Sequence, residues 1–356
     1  MKIGMSFATG ALVKSKHSHK GAWARIRADQ LKHAGVELEM MFGTPPWDGY
    51  DRIYLYHGME YKGGKYINMY GGSSDENSEF FQRILDYEGE IISLDLPMPD
   101  YGLVGRFRCG HRDATEKWKN IDWNAMSEKC SKIKQLKHPE LTSHLVLGDS
   151  HSLSVYQHGD TILRMDGKTM HGISKMGIDS VISKEFGDHE FDSMTLYFGN
   201  IDVRHHLCRM PDPVLAANSL ATRYENAIHN SQIANVEIVE LLPIENESRG
   251  IPKSGWYDGA GFHGSWKDRT LIRNHLCRLL EEMANRNSWR YFKHQPEIWN
   301  AAGELDFACM ERPKNVHKSP VYYRCNLFPD DVQDANISNQ ILVPERSDTF
   351  FSEFFS

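Results

Sequence analysis

The chain has 356 residues, 40% hydrophobic and 25% charged, with a formal net charge of −7. That length and composition fit a globular protein of two moderate α/β units with ample material for a core. No run nears the roughly 18 apolar residues of a membrane span, and the acidic balance disfavours bulk attraction to nucleic acid. Six cysteines (109, 130, 208, 277, 309 and 325) stand singly. With no Cys-x-x-Cys pair among them, the expectation is reduced thiols and no structural metal site. The opening Met-Lys-Ile-Gly-Met-Ser lacks the apolar stretch of a secretory signal, so the expected location is the cytoplasm.

In chain order, residues 1–7 predict a short apolar strand, followed by a loop at 8–21 rich in Lys, His and Ser. Residues 22–33 predict a helix with Trp23, Ile26 and Leu31 facing inward, closed by Gly35 as a C-cap glycine. Strands are expected at 36–42, 51–57 and 90–94, with a helix at 79–87. Residues 105–140 are highly charged and weakly periodic, and read as a helical connector. Beyond it, strands are expected at 144–147, 161–165, 194–198, 236–242 and 290–293. The clearest helix is 266–286, started by Ser265 with Asp268 in the capping-box position and lined by Ile272, Leu276, Leu279, Leu280 and Met283. Alternating strands and helices predict parallel sheets with helices on their faces. The domain layout is therefore 1–110 as a Rossmann-like unit, 111–142 as a connector, 143–325 as a second α/β unit and 326–356 as an acidic tail.

The apolar run Ser143-His-Leu-Val-Leu stops abruptly at Gly148-Asp149-Ser150-His151. A serine just past the carboxyl end of a central strand sits where open α/β sheets hold ligands, which makes Ser150 a candidate nucleophile. The alternative is a polar turn after a strand. Three further segments fall at expected strand ends or the loop after the last strand: Met170-His-Gly-Ile173, Gly199-Asn-Ile-Asp202 and Asn315-Val-His-Lys-Ser-Pro320.

In order and spacing, these four blocks resemble the SGNH (GDSL-type) hydrolase superfamily over about 143–325. The resemblance implies a flavodoxin-like three-layer sandwich with a mainly parallel sheet. It also implies an esterase or acyltransferase acting on an acylated carbohydrate or nucleotide-type substrate, without a cofactor. Carried over, Ser150 matches the nucleophile, His317 the base, and Gly172 an oxyanion donor beside the Ser150 N–H. The family's oxyanion Asn aligns with Ile201, leaving Asn200 one residue early as the candidate donor. Its Asp aligns with Lys314, so Glu311 is preferred over Asp306 as the group orienting His317. A substitute acid is admissible because such sites are defined by geometry rather than sequence position.

Asp149, His151, Asp202, Arg204 and His205 are candidates for substrate recognition, Arg204 for a carboxylate or phosphate. Metal binding by Asp202, His205 and His206 is disfavoured, because adjacent histidines on an extended segment point to opposite faces. A purely structural role, with Asp202 paired to Arg204, is the alternative. The glycine- and aromatic-rich 255–263 reads as a pocket rim or a surface loop.

Residues 1–100 more distantly resemble the first domain of phage DNA β-glucosyltransferases, of GT-B fold, on Met1-Lys-Ile, Tyr50-Asp-Arg-Ile53, Gly63-Gly-Lys65 and Leu96-Pro97. That resemblance implies transfer of a sugar from a UDP-sugar to hydroxymethylated cytosine, in a phage-encoded protein of the host cytoplasm. Lys14, Lys16, Lys20, Arg25 and Arg27 are then candidate contacts to phosphate or DNA; a solvated basic loop is the other reading. No Gly-x-Gly-x-x-Gly or P-loop supports a dinucleotide or ATP. A catalytically silent glycan-binding module is the third functional class.

Overall fold

The computed structural model describes residues 1–7, 19–41, 46–56, 59–62, 65–68, 81–94, 121–249, 262–311 and 314–328. Two five-stranded sheets, each wholly parallel, organise the chain. The first holds β1 (Ile3–Phe7), β2 (Glu39–Met41), β3 (Arg52–Tyr56), β6 (Glu90–Leu94) and β7 (Lys134–Leu136), in the order β2-β1-β3-β6-β7. A separate antiparallel hairpin, β4 (Met59–Lys62) and β5 (Lys65–Asn68), follows β3. Helices of this part include α1 (His19–His33), helical residues at 81–86, and α2 (Trp123–Lys132), the last capped by Asp122, whose carboxylate accepts from the Asn124 and Ala125 N–H groups. Gly35 ends α1 at φ +79°, a left-handed position that suits glycine.

The second sheet holds β8 (His144–Gly148), β9 (Thr161–Arg164), β10 (Ser193–Tyr197), β11 (Asn235–Val239) and β12 (Arg290–Phe292), in the order β12-β11-β10-β8-β9. Its helices are α3 (Met170–Met176), α4 (Ile178–Phe186), α5 (Pro213–Asn230) and α6 (Trp266–Arg286). In both sheets the first strand lies between the second and third. The chain leaves β8 to one side, for β9, and later returns on the other, for β10. This is the switch point at which doubly wound sheets open a crevice at their carboxyl ends.

Alternation along the strands divides the second sheet's two faces. Leu145, Leu147, Met194, Leu196, Val236 and Ile238 point into the core shared with α3–α6. Val146, Ile162, Tyr197 and Val239 point the other way. That second face is covered by Ala22 and Ile26 of α1 and by irregular chain carrying Leu153, Tyr156, Ile298, Leu305, Met310 and Tyr323. Meanwhile Ala24, Ala28 and Leu31 of α1 pack with Met5, Tyr54 and Leu94 of the first sheet. One helix therefore serves both sheets. Each fully buried Ile or Leu contributes about 1.5–3 kcal/mol relative to exposure, so Ile26 and Leu31 together tie the two halves.

Polar contacts fix the same seam. Asp29 of α1 accepts from the Tyr156 hydroxyl at 2.6 Å and the Gly159 N–H at 3.0 Å, and bonds His158 Nδ1 at 2.9 Å. Gln30 donates to the Asp160 carbonyl at 2.6 Å.

Several expectations need correction. Residues 111–142 are more than a connector, because Lys134–Leu136 pairs with β6 as the fifth strand of the first sheet; a three-residue polar edge strand gives no alternation to detect. Arg25 and Arg27 do not present guanidinium groups to a nucleic acid. Arg25 is buried over the Phe328 ring, and Arg27 is buried over Trp23 and bonded to Gln30. Lys14, Lys16, the 255–261 part of the glycine-rich segment, Leu96-Pro97 and the tail beyond 328 lie outside the described residues, as does the Lys20 side chain. Among the described residues, no helix is long and apolar enough to cross a membrane.

Candidate functional site

Ser150 lies two residues beyond β8, at the switch point between β9 and β10. Gly148 is required there by close approach rather than by a left-handed bend. A Cβ at this position would lie 2.7 Å from the Tyr197 carbonyl and 2.9 Å from Ser152 Cβ. Asp149 then turns inward, wholly buried, and its Oδ1 accepts the His151 backbone N–H and meets His151 Nδ1, each at 2.8 Å. The turn continues as Ser152 N–H bonds the Asp149 carbonyl at 3.1 Å. Ser150 is thereby left at the crest, partly exposed. Its N–H has no acceptor among the described residues.

His317 comes from the far end of the chain and places Nε2 2.9 Å from Ser150 Oγ. Its position follows from a short antiparallel hairpin. Met310 and Lys318 are bridge partners, flanked by Ser319 N–H to the Cys309 carbonyl and Glu311 N–H to the His317 carbonyl, both 2.9 Å. Glu311 and His317 are therefore opposite one another, with side chains on one face. Glu311 Oε1 lies 3.6 Å from His317 Nδ1, an ion-pair distance rather than a hydrogen bond. The Glu311 side chain is 2% exposed and that of His317 25%. Lys314, in the position where the resemblance calls for an Asp, instead takes φ +61° in the intervening turn. The acid six residues before the histidine is a hairpin partner, which a fixed three-residue spacing does not find. Asp306 is occupied elsewhere, accepting the Ala308 N–H at 2.8 Å.

At the end of β10, Gly199 adopts φ +113°, and a Cβ there would lie 2.8 Å from Met170 Cε. This turns Asn200 inward, fully buried, with Oδ1 accepting the Leu242 N–H at 2.9 Å. Its Nδ2 lies near the Tyr197 hydroxyl but has no hydrogen-bond partner among the described residues. Tyr197 itself bonds His294 Nε2 at 2.9 Å, and burial pushes its phenol well up from the ordinary value. Ile201, aligned with the expected Asn, contributes no donor, being only the residue before a π-turn at Asp202–His206.

Gly172 does not face an oxyanion. It lies inside α3, and its N–H donates to Thr169 Oγ1, the helix N-cap, at 2.8 Å. Asp202 is likewise committed: its buried carboxylate accepts the Met170 N–H at 2.7 Å and the His171 N–H at 3.2 Å. Burial raises its pKa to about 6, while those N–H bonds hold it down. It does not pair with Arg204. Arg204 is buried, with Nε 2.7 Å from Glu245 Oε2, and Arg249 grips the other oxygen of the same carboxylate. Arg204 is thus a strut between the end of β10 and the loop after β11, not an open anion receptor. His205 is held neutral, its pKa lowered to about 3 by burial and then by Arg249. Asp149 and His151, expected to touch substrate, lie behind Ser150 instead. The His151 ring is buried against His317, centroids 5.1 Å apart, and burial lowers its pKa.

The sequence reading missed Asn315, Tyr197 and His294. Only Asn315 carried a signal, a turn-forming residue two before the histidine. Among the described residues, no group of three or more His, Cys, Asp or Glu side chains could hold a metal.

The sequence matches no protein-family profile, and no curated protein matches it. Among solved structures, the chain is similar to one described as a platelet activating factor from Streptococcus pneumonia. The identity is 16%, covering 51% of this chain and 78% of that one, with a TM-score of 0.36. It is similar to an acetyl xylan esterase at 16% identity over 50% of this chain and 92% of that one, TM-score 0.34. A phospholipase A1 from Streptomyces albidoflavus matches at 13% identity over 42% and 77%, TM-score 0.26.

Proposed function

We propose that this protein is a serine-dependent acyl-ester hydrolase or acyltransferase of the SGNH type, acting on an acylated carbohydrate or nucleotide. The single observation that carries the reading is the 2.9 Å contact of Ser150 Oγ with His317 Nε2, made between residues 167 apart in sequence. A serine hydroxyl becomes a useful nucleophile when an imidazole takes its proton. In this reading Ser150 Oγ bonds to the ester carbonyl carbon while its proton passes to His317 Nε2. The carbonyl oxygen becomes an oxyanion, for which the Ser150 N–H and the Asn200 amide are the candidate donors. Collapse breaks the bond to the leaving alkoxide, which takes the proton from His317, and leaves acyl-Ser150. A water or an acceptor hydroxyl, deprotonated by the same imidazole, then attacks the acyl carbon; the bond from that carbon to Oγ breaks, and Oγ takes the proton back from His317. Glu311 stabilises the transient imidazolium across 3.6 Å.

The test is turnover of a short acyl ester such as p-nitrophenyl acetate by the wild type, Ser150→Ala and His317→Ala. Each substitution is expected to lower kcat/KM by roughly a thousandfold or more. Undiminished turnover in Ser150→Ala sinks the reading. The direct Ser150–His317 contact favours this function over a silent glycan-binding module. The inward-turned Arg25 and Arg27 withdraw support from DNA contact by a sugar transferase.

A further inference from the structure

The acid and base of this site are joined by a side chain that belongs to neither. Asn315 donates from Nδ2 to Glu311 Oε1 at 2.9 Å, the oxygen that faces His317. Its Oδ1 accepts the Val316 N–H at 2.6 Å and the His317 N–H at 3.1 Å. In a regular hairpin, opposed residues such as Glu311 and His317 exchange both backbone hydrogen bonds. Here Glu311 N–H donates to the His317 carbonyl, while the His317 N–H donates to Asn315 Oδ1 instead. One amide therefore replaces a rung of the hairpin and also donates to the carboxylate opposite His317.

We propose that Asn315 is a positioning residue for the Glu311–His317 pair, fixing the carboxylate toward Nδ1 and thereby the tautomer that leaves Nε2 open to Ser150. The inference rests on the Ser150–His317 reading for its catalytic consequence, but not for its structural content. The imidazole tautomer follows the groups that face its two nitrogens, and a carboxylate facing one of them favours the proton there. A carboxylate aimed by Nδ2 favours the proton on Nδ1. Without that donor the carboxylate is aimed less firmly at Nδ1, and the other tautomer gains population. Neither half of the amide is redundant: Oδ1 shapes the turn, and Nδ2 aims the acid.

Two variants separate these halves. Asn315→Asp keeps an oxygen for the Val316 and His317 N–H groups but removes the donor to Glu311. Asn315→Ala removes both, and if it fails to fold, Asn315→Asp still decides the matter. The readouts are the imidazole nitrogen NMR shifts of His317, which report the tautomer, and steady-state kinetics on p-nitrophenyl acetate. The wild type is expected to show His317 protonated at Nδ1, and both variants to depart from that spectrum. In kinetics, kcat falls roughly 10- to 100-fold with KM unchanged, the cost of a slightly misplaced base. An Asn315→Asp protein with wild-type His317 shifts and wild-type kcat overturns the proposal and leaves Asn315 a turn cap. The tautomer needs no turnover, so it decides the role of Asn315 independently. A wild type inert toward esters and fluorophosphonates would count against the acyl-transfer reading alone.

Discussion

The His151 and His317 rings lie tilted at 44° with centroids 5.1 Å apart, and it is the second whose Nε2 bonds the Ser150 hydroxyl. The first is anchored from behind by Asp149 through both its backbone and its ring. Two adjacent imidazoles thus have different duties, one forming the floor and the other standing at the surface. Removing the floor's anchor should be costly, because the hydrogen bonds are buried and charge-assisted. Asp149→Ala is expected to destabilise the fold by about 2–3 kcal/mol, measurable as a lower midpoint in urea. An unchanged midpoint would mean that the Asp149–His151 pair does not hold the turn.

Glu245 gives a pH-dependent prediction. Buried between Arg204 and Arg249, its pKa is lowered to about 2, the two guanidinium groups outweighing the burial that would raise it. An acid whose folded value lies below its unfolded value near 4.5 contributes stability that is present above pH 4.5. That contribution is lost as pH falls toward 2. Glu245→Ala should therefore cost about 3 kcal/mol or more at pH 7, since it leaves a buried arginine without its carboxylate. The gap between wild type and variant should narrow steadily below pH 4.5. A gap independent of pH down to 2 would contradict the assignment.

Cys325, His158 and Asp29 have the connectivity of a second nucleophilic centre: Sγ lies 3.2 Å from His158 Nε2, and His158 Nδ1 lies 2.9 Å from Asp29 Oδ1. The thiol, however, is buried, and burial together with Asp29 and Asp160 pushes its pKa up to about 12. Such a thiol is a seam contact, not a nucleophile. Under native conditions at pH 8, Cys325 should react with a disulfide reagent far more slowly than in urea, as followed by peptide mapping. Rapid native labelling would reverse this reading.

Gly148 tests the packing beneath Ser150. Its missing Cβ leaves room for the Tyr197 carbonyl, which is backbone and cannot swing aside. Gly148→Ala is expected to cost about 1–3 kcal/mol and to lower turnover by moving Ser150 relative to His317. A variant with wild-type melting temperature and activity would show that the strands can part freely.

Much of the fold was legible because strands buried on both faces are written as short apolar runs. All five strands of the second sheet fall within a few residues of expectation, and α6 starts at Ser265 with the capping box to Asp268 formed. The π-turn at Asp202–His206 was not legible. Its polar residues look like a ligand cluster in sequence, yet Asp202 caps α3 and Arg204 pairs with Glu245 across a tertiary gap that no local pattern reveals. α1 hid its second role for a similar reason, since a helix packed between two sheets shows no single apolar stripe. Ser150 and His317 were singled out through their ordered blocks, and the structure brings Oγ and Nε2 to 2.9 Å. Gly172 misled, because a glycine in a helix's first turn can also have its N–H capped. Glu311 came from proximity in sequence; its reason, cross-strand pairing, needed the hairpin.

The central claim is that Ser150 is a nucleophile activated by His317. Its most direct measurement is covalent labelling by a fluorophosphonate, with the adduct located by peptide mass spectrometry. The account predicts one adduct on Ser150 in the wild type, its loss in Ser150→Ala and its near loss in His317→Ala. Contradiction would be a folded wild type that takes no label, or a label that persists unchanged in Ser150→Ala.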